Sequence, residues 1–369
     1  MEDLVKRVNG LFDRIIAIEN LENAFERASN GKRNRPEVVT FGRDLQVNLR
    51  RISAELCDGT MPLGRFNQFV IHDPKRRIIT APCFAERVVH HAIMNVCEPV
   101  FDRWLIGDSY ACRRGKGRIA ALHRAQAFSR RRTWFLKLDI RRYFDSIPHF
   151  ELISRLHRIL KDRQLLDLLQ RIIHVFPGSR EPSMALADSS QLCPGQSGIR
   201  RGIPIGSLTS QHFANFYLGW FDRFAKEQLR VKGYVRYMDD MLIWGDSGWE
   251  LRKALDAIRQ FLSEALGLEL KASPYVNRCV HGVDFLGVRL FPNRMVLNRR
   301  SRLRFRRKLL HLELAAIRGE ITELELQQRA GSLFEFTQAG GVASWCFRQK
   351  VLQSVAATVA RLEPVHPGR

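Results

Sequence analysis

The cysteines of this chain form no recognisable pattern. Seven occur among its 369 residues, and they are scattered, odd in number and never spaced as C-x-x-C. Structural zinc sites and disulfide frameworks both require clustered or paired cysteines. We therefore expect reduced, mostly buried thiols and neither a zinc cluster nor a disulfide scaffold.

Apolar runs long enough to cross a membrane are also missing. No segment approaches the roughly 18–20 apolar residues that a bilayer span requires. The N-terminal stretch MEDLVKRVNGLFDRI mixes charges and lacks the apolar centre of a signal peptide. These absences predict a cytoplasmic protein.

Acidic residues are scarce relative to basic ones. The chain has 38 Asp and Glu against 60 Lys and Arg, which gives a formal net charge of +22. A folded protein of this charge attracts polyanions, nucleic acid first and an anionic membrane surface second. Because 45% of the residues are hydrophobic, the chain also has enough apolar material for a large core in two or three domains.

Hydrophobic periodicity predicts a body in which helices and strands alternate. Short strands are predicted at TWFLKLD, LELKAS and VDFLGVRL, and HDPKRR marks a turn between two more. This alternation favours an α+β or mixed α/β body around a central sheet. The predicted helices of the body share an apolar 3.6-residue period and lie at about 2–28, 43–57, 83–98, 206–230 and 248–266.

Two further segments differ from this body. Residues 177–204 are rich in Gly, Pro and Ser, which predicts a loop or a long hairpin. From about residue 298 onward the pattern is entirely helical, with further helices predicted at 322–338 and 342–361. The chain therefore ends in a small helical domain, and it shows no internal repeat.

Two adjacent carboxylates, Asp239 and Asp240, lie between apolar, β-prone runs in YVRYMDDMLIWG. Such a pair is either a hydrophilic turn or a cation site, because adjacent carboxylates repel each other unless a cation neutralises them. Asp139 ends the strand TWFLKLD about a hundred residues upstream, and Asp145 follows it. Mg²⁺ is held by one or two carboxylates plus substrate phosphates, and a pair of such ions activates an attacking oxygen and stabilises a leaving group. The acids therefore predict a two-magnesium site.

Four motifs follow one another in the order in which reverse transcriptases carry them. FLKLDIRRYFDSI, GIPIGSLTSQHFANFYL, VRYMDD and FLGVRL resemble the successive palm motifs of that family. Upstream, RRIITAPCFAERVVHHAIMNVCEPVFDRWLIGDSYACRRGKG is similar to the fingers motifs of its bacterial members. The resemblance covers about residues 65–290 and implies an RNA-directed DNA polymerase.

The resemblance implies a right-hand polymerase fold of the α+β class. Fingers and palm would combine an antiparallel sheet with helices, and the thumb would be all-helical. The implied domains are an N-terminal helical extension at 1–60, fingers at 61–134, a palm at 135–292 with a fingers-like insertion at about 150–200, and a thumb at 293–369. Residues 1–60 could contact RNA, an accessory protein or only the fingers.

Matching positions in the motifs imply the catalytic residues. Asp139, Asp239 and Asp240 would be the catalytic metal ligands, and the carbonyl of Ile140 would be a further oxygen donor. The implied cofactor is Mg²⁺, two ions per active site, for which Mn²⁺ could substitute. Many relatives also carry a lysine that could protonate pyrophosphate, but the register of the nearby Lys271 looks shifted and its role stays open.

A second set of positions implies nucleotide binding. Phe144 matches an aromatic steric gate that would crowd a 2′-hydroxyl, although an ordinary core aromatic would look the same. Arg76 and Arg77 match basic residues at the fingers tip, where guanidinium groups suit a triphosphate. They could instead be solvated turn residues, and Lys75 cannot be separated from them by role. Arg113, after SYAC, matches a basic residue near the template or nucleotide, and VDFLGVRL resembles the primer grip or is simply a buried strand and turn.

The segment IGSLTSQ, residues 205–211, indicates a subtype. Group II intron enzymes usually read Q-G-x-x-x-S-P there, whereas this pattern resembles the reverse transcriptases of diversity-generating retroelements. Those enzymes, bacterial or phage-encoded, copy a template-repeat RNA into cDNA with many substitutions at template adenines. Ile205, Gly206 and Gln211 would line the nucleotide site. Replacing a glutamine by Ile205 removes polar contacts worth about 0.5–1.5 kcal/mol each, roughly three- to tenfold in discrimination.

A dense basic run opens the helical end. A thumb that follows a template–primer duplex would use several of these residues for phosphate contacts, although a solvated charge run is the commoner fate of such clusters. The candidates are Arg299, Arg300, Arg302, Arg304, Arg306, Arg307 and Lys308, with Arg294, Arg130–Arg132 and Arg200–Arg201 as further candidates.

The expected partners are template RNA, a cDNA or primer strand, dNTPs and a small basic accessory variability protein. Two alternatives stay open. The first is a group II intron-type maturase, against which the sequence shows no HNH nuclease pattern. The second is a retron-type or phage-defence enzyme, against which it lacks the N-A-x-x-H and V-T-G sequences usual in retron enzymes.

Overall fold

The structure, a computed structural model, describes residues 7–72, 76–176, 200–338 and 341–360. Most of the loop predicted at 177–204 therefore lies outside the described residues, as does Lys75. The chain divides into two compact units that are interleaved along the sequence. The first comprises Met1–Arg113, Asp139–Arg230 and Leu255–Ser273, and the second comprises Arg114–Leu138, Val231–Ala254 and Pro274–Arg369.

The first half of the chain is mainly helical, with one hairpin and one further strand. Its elements are α1 (Phe12–Ile16), α2 (Ile18–Ser29), α3 (Pro36–Arg43), α4 (Leu45–Cys57), β1 (Phe66–His72), β2 (Arg76–Pro82), α5 (Phe84–Trp104), α6 (Arg118–Arg131), β3 (Trp134–Asp139), α7 (Tyr143–Ser146), α8 (His149–Ile159) and α9 (Arg163–His174).

The second half carries short strands and ends in helices. Its elements are α10 (Leu208–Arg223), continued by a π-helical turn at Phe224–Gln228, β4 (Gly233–Tyr237), β5 (Asp240–Gly245), α11 (Gly248–Leu266), β6 (Tyr275–Arg278), β7 (Val283–Phe285), β8 (Val288–Leu290), β9 (Met295–Leu297), α12 (Arg299–Ile317), α13 (Glu323–Thr337) and α14 (Gly341–Ala360). None of the helices within the described ranges has the length and apolarity of a membrane span.

The N-terminal helices of the first unit pack against α5. Leu21 and Ala24 of α2 are fully buried, as are Val89 and Ile93 of α5. A carboxylate anchors the start of α1, because Asp162 accepts hydrogen bonds from the backbone N–H groups of Leu11 at 2.8 Å and Phe12 at 2.9 Å. The helical extension predicted at 1–60 is thus built into the first unit, and α5 is its main packing partner.

The hairpin predicted around HDPKRR is confirmed. Strands β1 and β2 pair antiparallel, with Phe66 opposite Pro82 at the base and His72 opposite Arg76 towards the turn. In β2, the residues Arg76 to Ile78 are exposed, whereas Thr80 and Pro82 are buried. Most of β1 is exposed. Burial along β2 therefore increases towards α5, which follows directly after it.

A four-stranded sheet forms the centre of the second unit. Its order is β4-β5-β3-β6, and the pairs β4–β5 and β3–β6 are antiparallel. The apolar residues of β5 are buried, as are Phe135, Leu136 and Leu138 of β3, and α6 packs against the sheet. There, Phe128 stacks on Trp244 at 5.3 Å, and the indole N–H of Trp244 donates to the Ser129 hydroxyl at 3.1 Å.

The helical end forms its own small core. Phe305, Leu309, Val351 and Val355 are buried against one another, with Phe334 beside them. Strands β7, β8 and β9 form a separate three-stranded antiparallel sheet in the same unit. The α+β class and the helices predicted at 248–266, 322–338 and 342–361 are confirmed to within a residue or two.

Two local predictions were wrong. The helix expected at 2–28 is interrupted, because Ala17 adopts an extended backbone with ψ 135° between α1 and α2. The strand expected in LELKAS is only an isolated bridge between Leu270 and Ile140. In both places tertiary contacts override a regular pattern. The boundaries of fingers, palm and thumb stay predictions, since the two units are interleaved.

Candidate active site

The Asp239–Asp240 pair lies at the turn of the β4–β5 hairpin. Tyr237 pairs with Asp240, so Met238 and Asp239 form a two-residue turn. Met238 has a positive φ of 55°, a backbone conformation that costs a residue with a side chain of order 1–3 kcal/mol. The tight turn holds both half-buried carboxylates at the end of two paired strands.

Arg236 supports this turn from within the unit. Its side chain is fully buried, although the residue precedes the acidic pair by only three positions. Its guanidinium donates to the carbonyl of Met238 at 3.3 Å. Arg236 therefore stabilises the strained turn, since a hydrogen bond from a charged donor is stronger than a neutral one.

A lysine on the neighbouring strand contacts the acidic pair. The Lys137 Nζ lies 3.4 Å from Asp240 Oδ1 and donates to the Asp284 carbonyl at 2.5 Å. Sequence reasoning missed Lys137, yet a signal was present. Residues two apart in a strand share a face, so Lys137 and Asp139 point to the same side of β3.

Asp139 ends β3 and belongs to the first unit. Its Oδ2 forms an ion pair with Lys271, and its carbonyl accepts a hydrogen bond from the Lys271 backbone N–H at 2.9 Å. Lys271 therefore lies directly beside Asp139, and its role in protonating pyrophosphate stays open. The other carboxylate oxygen, Oδ1, is buried and has no hydrogen-bond partner among the described residues.

The acidic groups suit a hard divalent cation. A buried carboxylate oxygen without a hydrogen-bond donor, such as Asp139 Oδ1, is costly unless a cation binds it. Within the described residues, no three His, Cys, Asp or Glu side chains are grouped as a complete metal site. Mg²⁺ takes one or two carboxylates and completes its shell with water and substrate phosphates. A carboxylate such as Asp139 is therefore a suitable ligand for it, and the magnesium site stays a prediction.

The first unit brings the predicted steric gate beside the IGSLTSQ segment. Phe144 is half-buried, and its carbonyl accepts from the Ile203 N–H at 2.9 Å. Two residues further on, the carbonyl of Ile205 accepts from the Thr80 N–H of β2 at 2.7 Å. The residues around Phe144, the segment before α10 and the β1–β2 hairpin therefore line one region of the first unit.

Other predicted nucleotide-binding residues are exposed. Arg76 and Arg77 are exposed at the start of β2, next to the hairpin turn. Gln211 is exposed in the first turn of α10, and its Oε1 accepts from the Cys112 thiol at 3.7 Å. Gly206 is also exposed. All four are accessible to a ligand, and their role stays a prediction.

Arg113 requires a correction. Its side chain is only 8% exposed and forms an ion pair with Asp102. The guanidinium also donates to the carbonyls of Ile106 at 2.5 Å and Ser109 at 3.0 Å. Because these internal acceptors occupy its donors, Arg113 holds the segment after α5 in place and is not positioned to bind a nucleotide.

The predicted nucleic-acid residues lie mainly on the outer face of α12. Six of the seven, Arg299 to Arg307, are exposed, whereas Lys308 is half-buried. Ser301, Phe305 and Leu309 recur at a four-residue spacing on the buried face. The helical period thus separates the basic residues from the core, and Arg294 is exposed as well.

The primer-grip candidate is a tight hairpin tied to the same unit. Leu286 and Gly287 form the β7–β8 turn with φ 47° and 82°. The Arg118 guanidinium donates to the carbonyls of Leu286 at 2.9 Å and Phe336 at 3.1 Å. Sequence reasoning missed Arg118, since no local pattern signals a contact to residues so far along the chain.

A cavity elsewhere contains none of the predicted residues. It has a volume of about 650 Å³ and lies in the first unit between residues 60–63 and α9, lined in part by Arg171 and His174. The candidate chemistry therefore belongs to half-buried strand ends and turns rather than to this cavity.

The described elements combine helices with antiparallel sheets. Asp139 is the last residue of β3, and Asp240 is the first residue of β5. The model of the reverse transcriptase (RNA-dependent DNA polymerase) family matches residues 72–290, more than half of the chain. The chain belongs to that family.

The chain is similar to several curated proteins, among them an intron maturase and an intron-encoded protein. The chain is 28% identical over 231 residues to nuclear intron maturase 4 of Arabidopsis thaliana, covering 62% of this chain and 26% of that protein. It is 24% identical over 190 residues to the group II intron-encoded protein LtrA of Lactococcus lactis, and the match covers 51% of this chain and 29% of that protein. It is also 24% identical over 249 residues to the protein YkfC of Escherichia coli, covering 66% and 58%. The chain thus spans less than two thirds of each.

Among solved structures, the chain is similar to telomerase. The apo telomerase of Candida tropicalis has a TM-score of 0.47 at 10% identity, with 81% of this chain and 59% of that chain covered. Telomerase of Candida albicans, solved with a fragment of telomeric RNA, has a TM-score of 0.42 at 11% identity, with 83% and 58% covered.

Proposed function

We propose that the chain is an RNA-directed DNA polymerase. A primer 3′-oxygen would attack the α-phosphorus of a dNTP, the new phosphodiester bond would form and pyrophosphate would leave. The observation that carries the proposal is the match to the reverse transcriptase family over residues 72–290 together with acids at its motif positions, Asp139, Asp239 and Asp240. The activity of the whole protein is a proposal because the chain spans only part of its relatives.

Asp139, Asp239, Asp240 and the Ile140 carbonyl would hold Mg²⁺. When bound, the metal would activate the attacking 3′-oxygen and stabilise the departing pyrophosphate. The buried Asp139 Oδ1, which has no hydrogen-bond partner among the described residues, supports a cation at this end of β3. Lys137 and Lys271, which contact Asp240 and Asp139, would orient these carboxylates.

The other residues would select and position the substrates. Phe144 would crowd a 2′-hydroxyl, and Arg76 and Arg77 would bind the triphosphate through charge-assisted hydrogen bonds. Template RNA and the growing strand would bind through phosphates to the basic face of α12. The net charge of +22 supports a polyanionic partner.

Primer extension on an RNA template with Mg²⁺ and dNTPs tests the proposal. We expect the parent protein to extend the primer and Asp239→Asn to lose nearly all activity, because the variant removes a charged ligand. Asp256→Asn is the matched control, since Asp256 is an exposed acid on α11 whose ion-pair partner is Arg259. Full activity of Asp239→Asn would refute the metal assignment.

For the subtype, we propose an error-prone enzyme of a diversity-generating retroelement that works with a small basic accessory protein. The support is the segment IGSLTSQ, in which Ile205 stands where group II intron enzymes usually carry glutamine. Ile205→Gln should lower misincorporation opposite template adenine roughly three- to tenfold, the worth of one regained hydrogen bond. Sequencing the cDNA measures the misincorporation. An unchanged error spectrum would show that Ile205 does not determine it.

A group II intron-type maturase is the second candidate. It is favoured by the similarity to nuclear intron maturase 4 and to the intron-encoded protein LtrA. The flanking DNA distinguishes the two. A pair of imperfect repeats that differ at adenines, beside a small basic open reading frame, supports the retroelement, whereas a flanking group II intron supports the maturase.

A further inference from the structure

The segment that carries Ile205 is held against the fingers hairpin at successive residues. The Ile205 carbonyl accepts from Thr80 at 2.7 Å. At Gly206, with φ 124°, an added Cβ would lie 2.7 Å from a methyl group of Ile79. The next residue, Ser207, is buried and begins the approach to α10. A change at Ser207 would therefore be transmitted to Ile205 within two residues.

Ser207 uses its hydroxyl in an unusual way for its position. It is the N-cap residue of α10, where a serine side chain ordinarily accepts from a backbone N–H and adds about 1 kcal/mol to helix stability. Here no side-chain cap is formed. The hydroxyl lies 2.9 Å from His90 Nδ1 and 3.0 Å from the Thr209 hydroxyl instead. The Ser207 side chain therefore connects α10 to α5 and does not cap α10.

His90 is equipped to hold this hydroxyl as a neutral ring. It is 1% exposed, and burial lowers its pKa to about 3. Its Nε2 faces Glu86 Oε1 at 3.6 Å. Nε2 has no hydrogen-bond partner among the described residues. With the ring hydrogen on Nε2, Nδ1 accepts from the Ser207 O–H. The Ser207 hydroxyl can then accept from Thr209.

Glu86 continues the connection to the base of the hairpin. Its carboxyl group is 1% exposed and accepts a hydrogen bond from the Gly64 N–H at 2.9 Å. The carboxyl group also accepts a hydrogen bond from the backbone of Arg65. Arg65 closes the hairpin base, where its carbonyl accepts from Cys83 at 2.8 Å. A buried row of polar groups thus runs from the hairpin that bears Arg76 to the segment that bears Ile205.

We propose that His90 is a positioning residue for nucleotide selection, acting through Ser207 and anchored by Glu86. It sets the position of the Ile205–Gly206 backbone relative to the fingers hairpin, so that the two walls of the nucleotide site keep a constant separation. This inference rests on the proposed polymerase function and deepens it. None of the sequence motifs assigned a role to His90, Glu86 or Ser207.

Two substitutions at position 90 separate positioning from packing. An asparagine amide reaches roughly the place of Nδ1, so His90→Asn keeps a partner for Ser207. A glutamine amide reaches towards the place of Nε2, so His90→Gln keeps a polar group near Glu86 and loses the Ser207 contact. Ser207→Ala removes the same hydrogen bond from the other side. His91→Gln is the matched control, because His91 is the next residue of α5 and forms no part of this row.

Single-nucleotide incorporation on an RNA template, with the full chain and Mg²⁺, measures the effect. For His90→Gln and Ser207→Ala we expect the KM for the correct dNTP to rise roughly three- to tenfold, the worth of one hydrogen bond, with kcat within about twofold. The ratio of incorrect to correct incorporation should rise to a similar extent. His90→Asn and His91→Gln should behave as the parent.

Thermal unfolding of each variant identifies a merely structural role. If His90→Gln and Ser207→Ala lower stability while KM and discrimination stay at parent values, the inference is wrong. In the double variant Ser207→Ala/Ile205→Gln, we expect the change in the ratio of incorrect to correct incorporation to differ from the product of the two single-variant changes. A change equal to that product would argue against coupling between Ser207 and Ile205. A parent protein that extends no primer would overturn the proposed function itself, whereas an active parent with unaffected variants would overturn only this inference.

Discussion

At position 206 only glycine fits the observed backbone. Its φ of 124° lies in a region that residues with a side chain rarely adopt, and an added Cβ would also lie 3.0 Å from the Thr80 carbonyl oxygen. Resemblance to the family pointed to Gly206 as a nucleotide-site residue, but not to this reason. The glycine permits the close approach between the segment before α10 and strand β2.

Gly206→Ala should therefore destabilise the protein by about 1–3 kcal/mol, the cost of a strained backbone conformation. Urea unfolding measures the change. Gly331→Ala is the matched control, because Gly331 lies exposed within α13 and an added Cβ would meet nothing within 4 Å. There alanine should stabilise by about 0.5–1 kcal/mol. Equal effects at the two sites would contradict the close approach at Gly206.

At the residue scale, a local motif predicted where the acids lie, whereas side-chain contacts that no motif signals decided the surroundings of Arg113. The acids of the β4–β5 turn could be placed from YMDD alone, since apolar strands flank it on both sides. Arg113 could not be placed, because the carboxylate and carbonyls that occupy its guanidinium come from the end of α5 and the loop after it.

Among the elements, α12 shows most clearly how one helix separates core from solvent. Asn298 caps its start by accepting from the Ser301 N–H at 2.9 Å. Phe305 and Leu309 follow Ser301 at helical spacing and bury their side chains against α13 and α14. The remaining positions face outward and hold most of the basic residues, which gives α12 a broad exposed basic face.

A triple variant tests whether this face binds the duplex. Arg299, Arg302 and Arg307 replaced together by glutamine should weaken binding of an RNA–DNA primer–template. The slope of log K against log salt should become shallower by about 0.9 for each phosphate that the variant no longer binds, up to about 3 in total. Fluorescence anisotropy at several salt concentrations measures the slope.

A second triple variant controls for net charge. Arg33, Arg252 and Arg259 are exposed arginines on other helices or loops, and their replacement by glutamine removes the same charge. This control should leave the salt slope unchanged. If both triple variants reduce the slope equally, binding depends on overall charge and α12 has no special role.

For the whole molecule, buried histidines make stability depend on pH. Burial lowers the pKa of His90 to about 3, and it lowers the pKa values of His91 and His212 to about 4. A histidine with a lower pKa in the folded state binds more protons when unfolded. The free energy of unfolding is therefore unaffected above about pH 6.5, the pKa of histidine in the unfolded chain. It falls as the pH drops from there towards the pKa of the folded state.

Acidification from pH 7.5 to 5.0 should cost about 2 kcal/mol through His90 alone. The raised pKa of Glu86, caused by its burial, acts in the opposite direction, because the folded state then binds the extra proton. Comparing the free energy of unfolding of the parent and of His90→Asn separates the contribution of His90 from that of the other titratable groups. Urea unfolding at both pH values should show a smaller loss in the variant, and the same loss in both proteins would contradict the prediction.

The sequence by itself determined the family, the α+β class and the identity of the acidic residues. Each of these depends on short ordered motifs and on apolar periodicity, which are properties of neighbouring residues. The hairpin at HDPKRR and the three C-terminal helices were predictable for the same reason.

Only the tertiary structure decided which distant residues meet. Lys271 lies on Asp139 across 132 positions of sequence, and Ser207 meets His90 across 117. Periodicity tells which face of an element is buried, but it carries no information about the element that covers that face. The contacts that position the candidate site, rather than the acids within it, therefore emerged only when the chain was folded.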